Sequence, residues 1–381
     1  MPHRPLLLSL LGCTLLAACT AHRPAPPALP EPSRLDAARF DTVVDGKAVG
    51  LYTLRSAAGM EMSVTNYGAR IVTLMPDGQT DVVCGFDSIG PYLHRRQNFG
   101  AVVGRYIGRI LGARMALDGT EYALDRDGNG HCSHGGRPGF AGRVWDVVAH
   151  AADSLVLRYT SPDGESGFPG TLALTVAYRL DSTALRIDYR ATTDRPTVLN
   201  PSNHTFFNLS GRLGEAVLDE VLQIAADSIA EYDARKCVTG RMLPVAGTAF
   251  DFRTPRAIGD RIDADDAQLA VTGGYDHCYL LPVHAEPDAW LRRPAARLAS
   301  DVLTMEVYTT EPAVQIYTAN GHRGDIVGKD GVRYVRRNSI CFETMHLPDS
   351  PNRPHWPTTV LRPGETFRST TVFRFAAAAG R

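Results

Sequence analysis

The stretch that decides the fold is Thr171-Leu172-Ala173-Leu174-Thr175-Val176-Ala177-Tyr178-Arg179-Leu180. Leu172, Leu174, Val176, Tyr178 and Leu180 recur at every second position, and Thr171, Thr175 and Arg179 fall on the other face. Side chains alternate across a strand, so a period of two marks a half-buried strand in an antiparallel sheet. Leu185-Arg186-Ile187-Asp188-Tyr189-Arg190 repeats the pattern, as do residues 155–160 and 303–308. Pro162-Asp163-Gly164, Phe168-Pro169-Gly170 and Pro363-Gly364 punctuate the runs as turns. The strongest helical window, residues 260–270, predicts no more than a short helix. The expected fold is all-β, a large antiparallel β-sandwich, and the lack of a fixed internal repeat argues against a propeller.

Outward from this core, the N-terminus reads as an address. His3 and Arg4 precede an apolar run at residues 6–16, well short of the roughly 20 residues that span a membrane. Leu16-Ala17-Ala18-Cys19 resembles the lipobox of bacterial lipoproteins, in which the cysteine is acylated. The expected organisation is a lipoprotein-type signal peptide (1–18), a Pro-rich tether (19–35) and one sandwich domain (36–381). The chain is then exported, periplasmic or held at a membrane, the outer one included, through lipid on Cys19. The alternative is a simple cleaved signal peptide. Lys and Arg number 40 against 41 Asp and Glu, with no basic run, so a nucleic-acid partner is not expected. Cys84, Cys132, Cys237, Cys278 and Cys341 are odd in number and widely spaced, which leaves room for one disulfide but shows no disulfide framework.

Five segments interrupt the alternation with histidine, acid and aromatic residues: 104–110, 131–136, 200–211, 273–277 and 341–349. Any one of them reads as a structural loop. Five in a chain with 12 histidines point to a site. Metal is not expected, because no HExxH or paired CxxC occurs, although His131 and His134 are three apart. No GxSxG elbow is present, and Gly128-Asn129-Gly130 lacks the third glycine and the helix of a dinucleotide site. Asn203-His204-Thr205 and Asn208-Leu209-Ser210 match glycosylation acceptors, read here as accidental. General acid–base chemistry remains. Glu343 lies among Phe342, Thr344 and Ile340, where burial would raise its pKa. His204 stands between hydrogen-bonding Asn203 and Thr205 and ahead of Phe206 and Phe207, and histidine exchanges protons near neutrality. Taken alone, Glu343 reads first as a salt-bridged strand carboxylate.

A longer ordered series of motifs resembles the aldose 1-epimerases, or galactose mutarotases. It runs from about Phe40 to Phe375 and includes Asn66-Tyr67-Gly68-Ala69, Phe99-Gly100-Ala101-Val102-Val103-Gly104-Arg105-Tyr106 and His134-Gly135-Gly136. Asn203-His204-Thr205-Phe206-Phe207, Gly273-Gly274-Tyr275-Asp276-His277, Phe342-Glu343-Thr344 and Leu361-Arg362-Pro363-Gly364-Glu365-Thr366 complete it. The resemblance implies a supersandwich that interconverts the α and β anomers of free aldohexoses such as glucose and galactose, without cofactor or metal. It makes Glu343 the base at the anomeric hydroxyl and His204 the acid at the ring oxygen. It also puts His134 near the ring oxygen, Arg109 and Asp276 on the hydroxyls, and Gln315 in the wall of the pocket.

Three positions depart from the family pattern. Ser133 replaces a usual leucine, Met345 a common glutamine, and Gly108 an asparagine found in many members. All three bear on which sugar fits. Two rivals remain at the sequence level. A silent sugar-binding module has no reason to keep both proton carriers. A glycoside hydrolase or lyase normally needs two carboxylates, for which Asp276 is the available second acid.

Overall fold

The structure, a computed structural model, describes residues 1–2, 35–94, 97–282 and 289–378. Residues 3–34, which carry most of the expected leader and tether and Cys19, lie outside the described residues.

The quoted stretch forms the strand Leu172–Asp181, in which buried and half-exposed positions alternate. Leu172, Leu174, Val176 and Tyr178 are fully buried, and Leu180 nearly so. Its partner Ala184–Thr193 pairs antiparallel with Leu180 opposite Leu185 and Tyr178 opposite Ile187, so the apolar sets of both strands share one face. Among the described residues nine strands, these two included, make up this sheet, in the order Asp146–His150, Ser154–Ser161, Leu172–Asp181, Ala184–Thr193, Phe367–Ala377, Leu303–Thr309, Ala296–Ala299, Val221–Ile224 and Arg256–Ala257.

A second sheet of six strands runs Phe206–Phe207, Ile340–Met345, Ala313–Tyr317, Asp276–Leu280, Ser228–Tyr232 and Val238–Pro244. All its pairings are antiparallel. Ile340 and Phe342, with Val314 and Ile316, join Leu172, Leu174 and Val176 in one core cluster, which is the filling of the sandwich. Fully burying a side chain of this size contributes about 1.5–3 kcal/mol. The intervening residues Cys341 and Glu343 therefore point away from that filling.

The helix read over residues 260–270 begins later. Ile258–Asp260 makes one 3₁₀ turn, and the α-helix is Ala267–Thr272. Asp266 caps it by accepting from the amides of Gln268 and Leu269, and Gly273 ends it at φ +76°. A second short helix, Ile89–His94, is too brief to show a period. No helix among the described residues is long and apolar enough to cross a membrane. The five cysteines named above are buried free thiols, so no disulfide forms among them.

Candidate active site

The outward face of the six-stranded sheet carries the acids. Antiparallel register puts Gln315 opposite Glu343 on one side and opposite Cys278 on the other. Asp276 lies opposite Tyr317, one step along the same face. Tyr232 donates its hydroxyl to Gln315 Oε1 at 3.0 Å, and Gln315 Nε2 donates to Asp276 Oδ1 at 2.6 Å. This chain of bonds fixes the orientation of the Gln315 amide.

His204 arrives from another element. The strand Ser202–His204 pairs with Ala101–Val103, and Asn203 Nδ2 donates to the Gly100 carbonyl at 2.9 Å. The imidazole stacks on Phe206 with centroids 4.9 Å apart. Its Nε2 lies 3.5 Å from Glu343 Oε1, and both side chains are almost wholly buried. On the other side Nδ1 is 3.6 Å from the Cys341 thiol. Burial keeps that thiol protonated, so it can donate to Nδ1 and leave the imidazole hydrogen on Nε2, facing Glu343.

Arg109 and His134 come as a pair. Arg109–Ile110 pairs with Cys132–Ser133, and the His134 amide donates to the Gly108 carbonyl at 2.9 Å. The loop then turns through Gly135, where a Cβ would sit 2.0 Å from the Gly104 carbonyl oxygen. Only glycine allows the loop to press so closely on residues 104–105. The 104–110 segment and the residue after it are in turn tied to 341–349, because Tyr106 donates to the Leu347 carbonyl at 2.9 Å and Leu111 N donates to Asp349 Oδ1 at 3.0 Å. The ring of His134 meets that of His204 edge-on, 5.3 Å away.

Arg109, His134, His204, Asp276, Gln315 and Glu343 all line one cavity of about 400 Å³. Each of the five segments singled out in the sequence contributes to it. Not every histidine in them does. His131 accepts from the Gly112 amide through Nδ1 at 3.1 Å, and His277 is fully buried against Phe250 on the opposite face from Asp276. The two glycosylation-like asparagines are buried and committed to internal carbonyls. Tyr232, Lys236, Tyr317 and Cys341 were not named as site residues from the sequence, although Cys341 falls in a flagged segment and, two residues before Glu343, must share its face.

Electrostatics set the proton inventory. Burial, reinforced by the charge of Asp276, raises the Glu343 carboxyl well above its usual range, and Arg109 opposes this. Burial, reinforced by His134, pushes His204 well below the usual imidazole value. Burial and Arg109 bring His134 down to about 4, so it is neutral at pH 7. Asp276 is also raised by burial, against the pull of Arg109, Gln315 and Lys236. The donor atoms of His134, His204 and Glu343 all lie within 4.8 Å of one another, which matches the ligand count of a three-ligand catalytic zinc site. No spacing in the sequence announces that grouping, since the three residues come from distant segments.

Residues 50–374 match the family model described as aldose 1-epimerase. Mouse galactose mutarotase is 37% identical over 337 residues, covering 87% of this chain and 96% of its own length. Aldose 1-epimerase of Escherichia coli is 37% identical over 342 residues, covering 87% of this chain and 97% of its own length. The crystal structure of galactose 1-epimerase from Lactobacillus acidophilus superposes with TM-score 0.77 at 30% identity, covering 88% of this chain and 97% of that one. An aldose epimerase homologue from C. elegans gives TM-score 0.78 at 26% identity, covering 87% and 100%. The fold is the galactose mutarotase-like sandwich, and the chain belongs to the aldose 1-epimerase family.

Proposed function

We propose that this protein is an isomerase that interconverts the α and β anomers of free aldoses, with Glu343 and His204 as its proton carriers. The observation that carries the reading is the buried pair His204 Nε2 and Glu343 Oε1, 3.5 Å apart in a cavity that also presents Arg109, Asp276 and Gln315. The two reacting oxygens of an aldose, O1 and O5, share one carbon, so an acid and a base that serve both must themselves be close.

In the reacting form the one proton that the pair shares sits on His204, as imidazolium, and Glu343 is the carboxylate that takes the proton from the anomeric hydroxyl. The O1 electron pair forms the carbonyl as C1–O5 breaks, and His204 Nε2 gives its proton to O5. Opening thus moves one proton from His204 to Glu343 through the sugar. Rotation about C1–C2 offers the other carbonyl face, and the reverse transfers close the opposite anomer. Neutral His134, beside His204, can donate a hydrogen bond near O5, while Arg109, Asp276 and Gln315 hold the hydroxyls. Each positioned acid or base contributes typically about 10²–10⁴-fold. That is roughly 3–5 kcal/mol of barrier apiece.

Polarimetry tests the reading. Fresh α-D-glucose or α-D-galactose should reach equilibrium rotation faster with the protein than in buffer. Binding without acceleration would favour a silent sugar-binding module, and reducing-end release from a glycoside a hydrolase. For the N-terminus, the proposal of a lipoprotein anchored through Cys19 rests on the sequence alone. Incorporation of labelled palmitate that is lost in Cys19→Ala would support it, and its absence in the parent chain would leave an ordinary export signal.

A further inference from the structure

The cavity has an outer half that acid–base work on a neutral sugar does not use. Lys236, Arg323 and Arg336 line it, so with Arg109 four fixed cations face two carboxylates, Asp276 and Glu343. Both carboxylates are themselves pushed towards their neutral forms. This excess is local, because the whole chain carries a formal net charge of −1.

The placement of the three cations is selective. Arg235 pairs with Asp233 at 3.1 Å, whereas Lys236 next to it is half-buried and makes no ion pair among the described residues. Lys236 sits at φ +61° in a tight turn, where its amide donates to the Asp233 carbonyl at 2.8 Å. A non-glycine residue in that region is uncommon. Arg337 pairs with Asp263 at 2.6 Å, while its neighbour Arg336 donates instead to the Gly273 carbonyl at 2.6 Å. Arg323 follows His322, whose ring is bonded to Asn338 at 2.6 Å, and it too has no ion pair among the described residues. In two places, then, the carboxylate-neutralised cation is the neighbour of the one that lines the cavity.

We propose that this outer half is an anion subsite, and that the sugar it takes is an aldose bearing a carboxylate or phosphate away from its anomeric carbon. The proposal rests on the acid–base reading above, with C1 between Glu343 and His204. Lys236 and Asp276 line the same cavity, which sets the subsite beside the hydroxyl-binding end.

Exchange between anomers can be followed by ¹H NMR for D-galactose, D-glucose, D-galacturonate and D-glucose 6-phosphate with the purified full-length protein. We expect at least one anionic sugar to show kcat/KM tenfold or more above its neutral counterpart, and whichever it is identifies the anion. That ratio should shrink several-fold between 0.05 and 0.5 M salt, as screening predicts. It should collapse towards one in the triple variant Lys236→Gln, Arg323→Gln, Arg336→Gln. Neutral sugars accelerated with no anionic preference in the wild type would overturn the subsite and leave the mutarotase reading standing. Acceleration of no sugar of either kind would overturn both.

Discussion

Replacing Glu343 by glutamine removes one proton acceptor and little else. The side chain is 3% exposed and sits mid-strand, with Gln315 opposite it on the neighbouring strand. The amide has nearly the shape of the carboxylic acid that burial favours at this position. Folding should therefore survive, and thermal melts of the two proteins should nearly coincide. The loss falls on catalysis. Without the base, the anomeric hydroxyl must lose its proton to water while His204 still serves the ring oxygen. A base contributes typically about 10²–10⁴-fold, or roughly 3–5 kcal/mol, so kcat/KM should drop by that factor. Because Arg109, Asp276 and Gln315 remain, most of the loss should appear in kcat. The assay is the rate of approach to equilibrium rotation of fresh α-D-galactose, with the buffer rate subtracted. A Glu343→Gln protein that folds and keeps kcat/KM within tenfold of wild type would refute Glu343 as the base.

The remaining predictions concern protons, metal and stability. His204→Asn should lose activity on a similar scale, and wild-type kcat/KM should show a broad pH plateau. On the plateau the pair shares one proton; it is lost on the acid side when His204, with its lowered pKa, binds a second, and on the alkaline side when Glu343, with its raised pKa, gives up the only one. A narrow bell between ordinary carboxyl and imidazole values would contradict these burial effects. Dialysis against EDTA should leave activity unchanged, and added zinc, attracted to His134, His204 and Glu343, should inhibit in competition with sugar; activity lost to EDTA and restored by zinc would instead make those residues metal ligands. Outside the site, buried Glu220 accepts from Leu209 N at 2.8 Å, yet burial pushes its carboxyl up to about 8. Its contribution is full below the unfolded pKa near 4.3 and is lost as pH rises through the folded value, so Tm should fall between pH 5 and pH 8 and Glu220→Gln should flatten that fall.

What could be read from the sequence follows from what is local. The alternation at Leu172–Asp181 specifies strand, face and burial without knowledge of any partner, and the structure follows it position by position. The same parity assigns Phe342 to the core and Glu343 to the opposite face once either is fixed. Tyr232 was beyond reach for a physical reason. Parity puts it with Ala230 on the face opposite Ile229, but only the assembled sheet brings that face beside Gln315, two strands away. Lys236, Arg323 and Arg336 come from three separate connections, and only the closed fold sets them around one cavity. The grouping of His134 with His204 and Glu343 was legible through the family resemblance and not through any local spacing.

Two of the three departures from the family pattern turn out to be one. A Cβ on Gly108 would lie 3.2 Å from the Met345 methyl and 3.3 Å from Pro348, so these positions touch although far apart in sequence. Gly108 adopts φ +75°, a conformation that asparagine also tolerates, so the backbone alone does not select glycine. The selection comes from across the contact. Where the family pattern has asparagine and glutamine, two amides, this chain has a hydrogen and a fully buried thioether. Met345 shares its strand face with Glu343, two residues away. An amide there could donate to the carboxylate and favour its charged form, whereas a methyl group cannot. The exchange thus acts in the same direction as burial and Asp276, towards a protonated Glu343. It links a change of wall chemistry to the alkaline limit of the proton-sharing pair rather than only to the shape of the sugar.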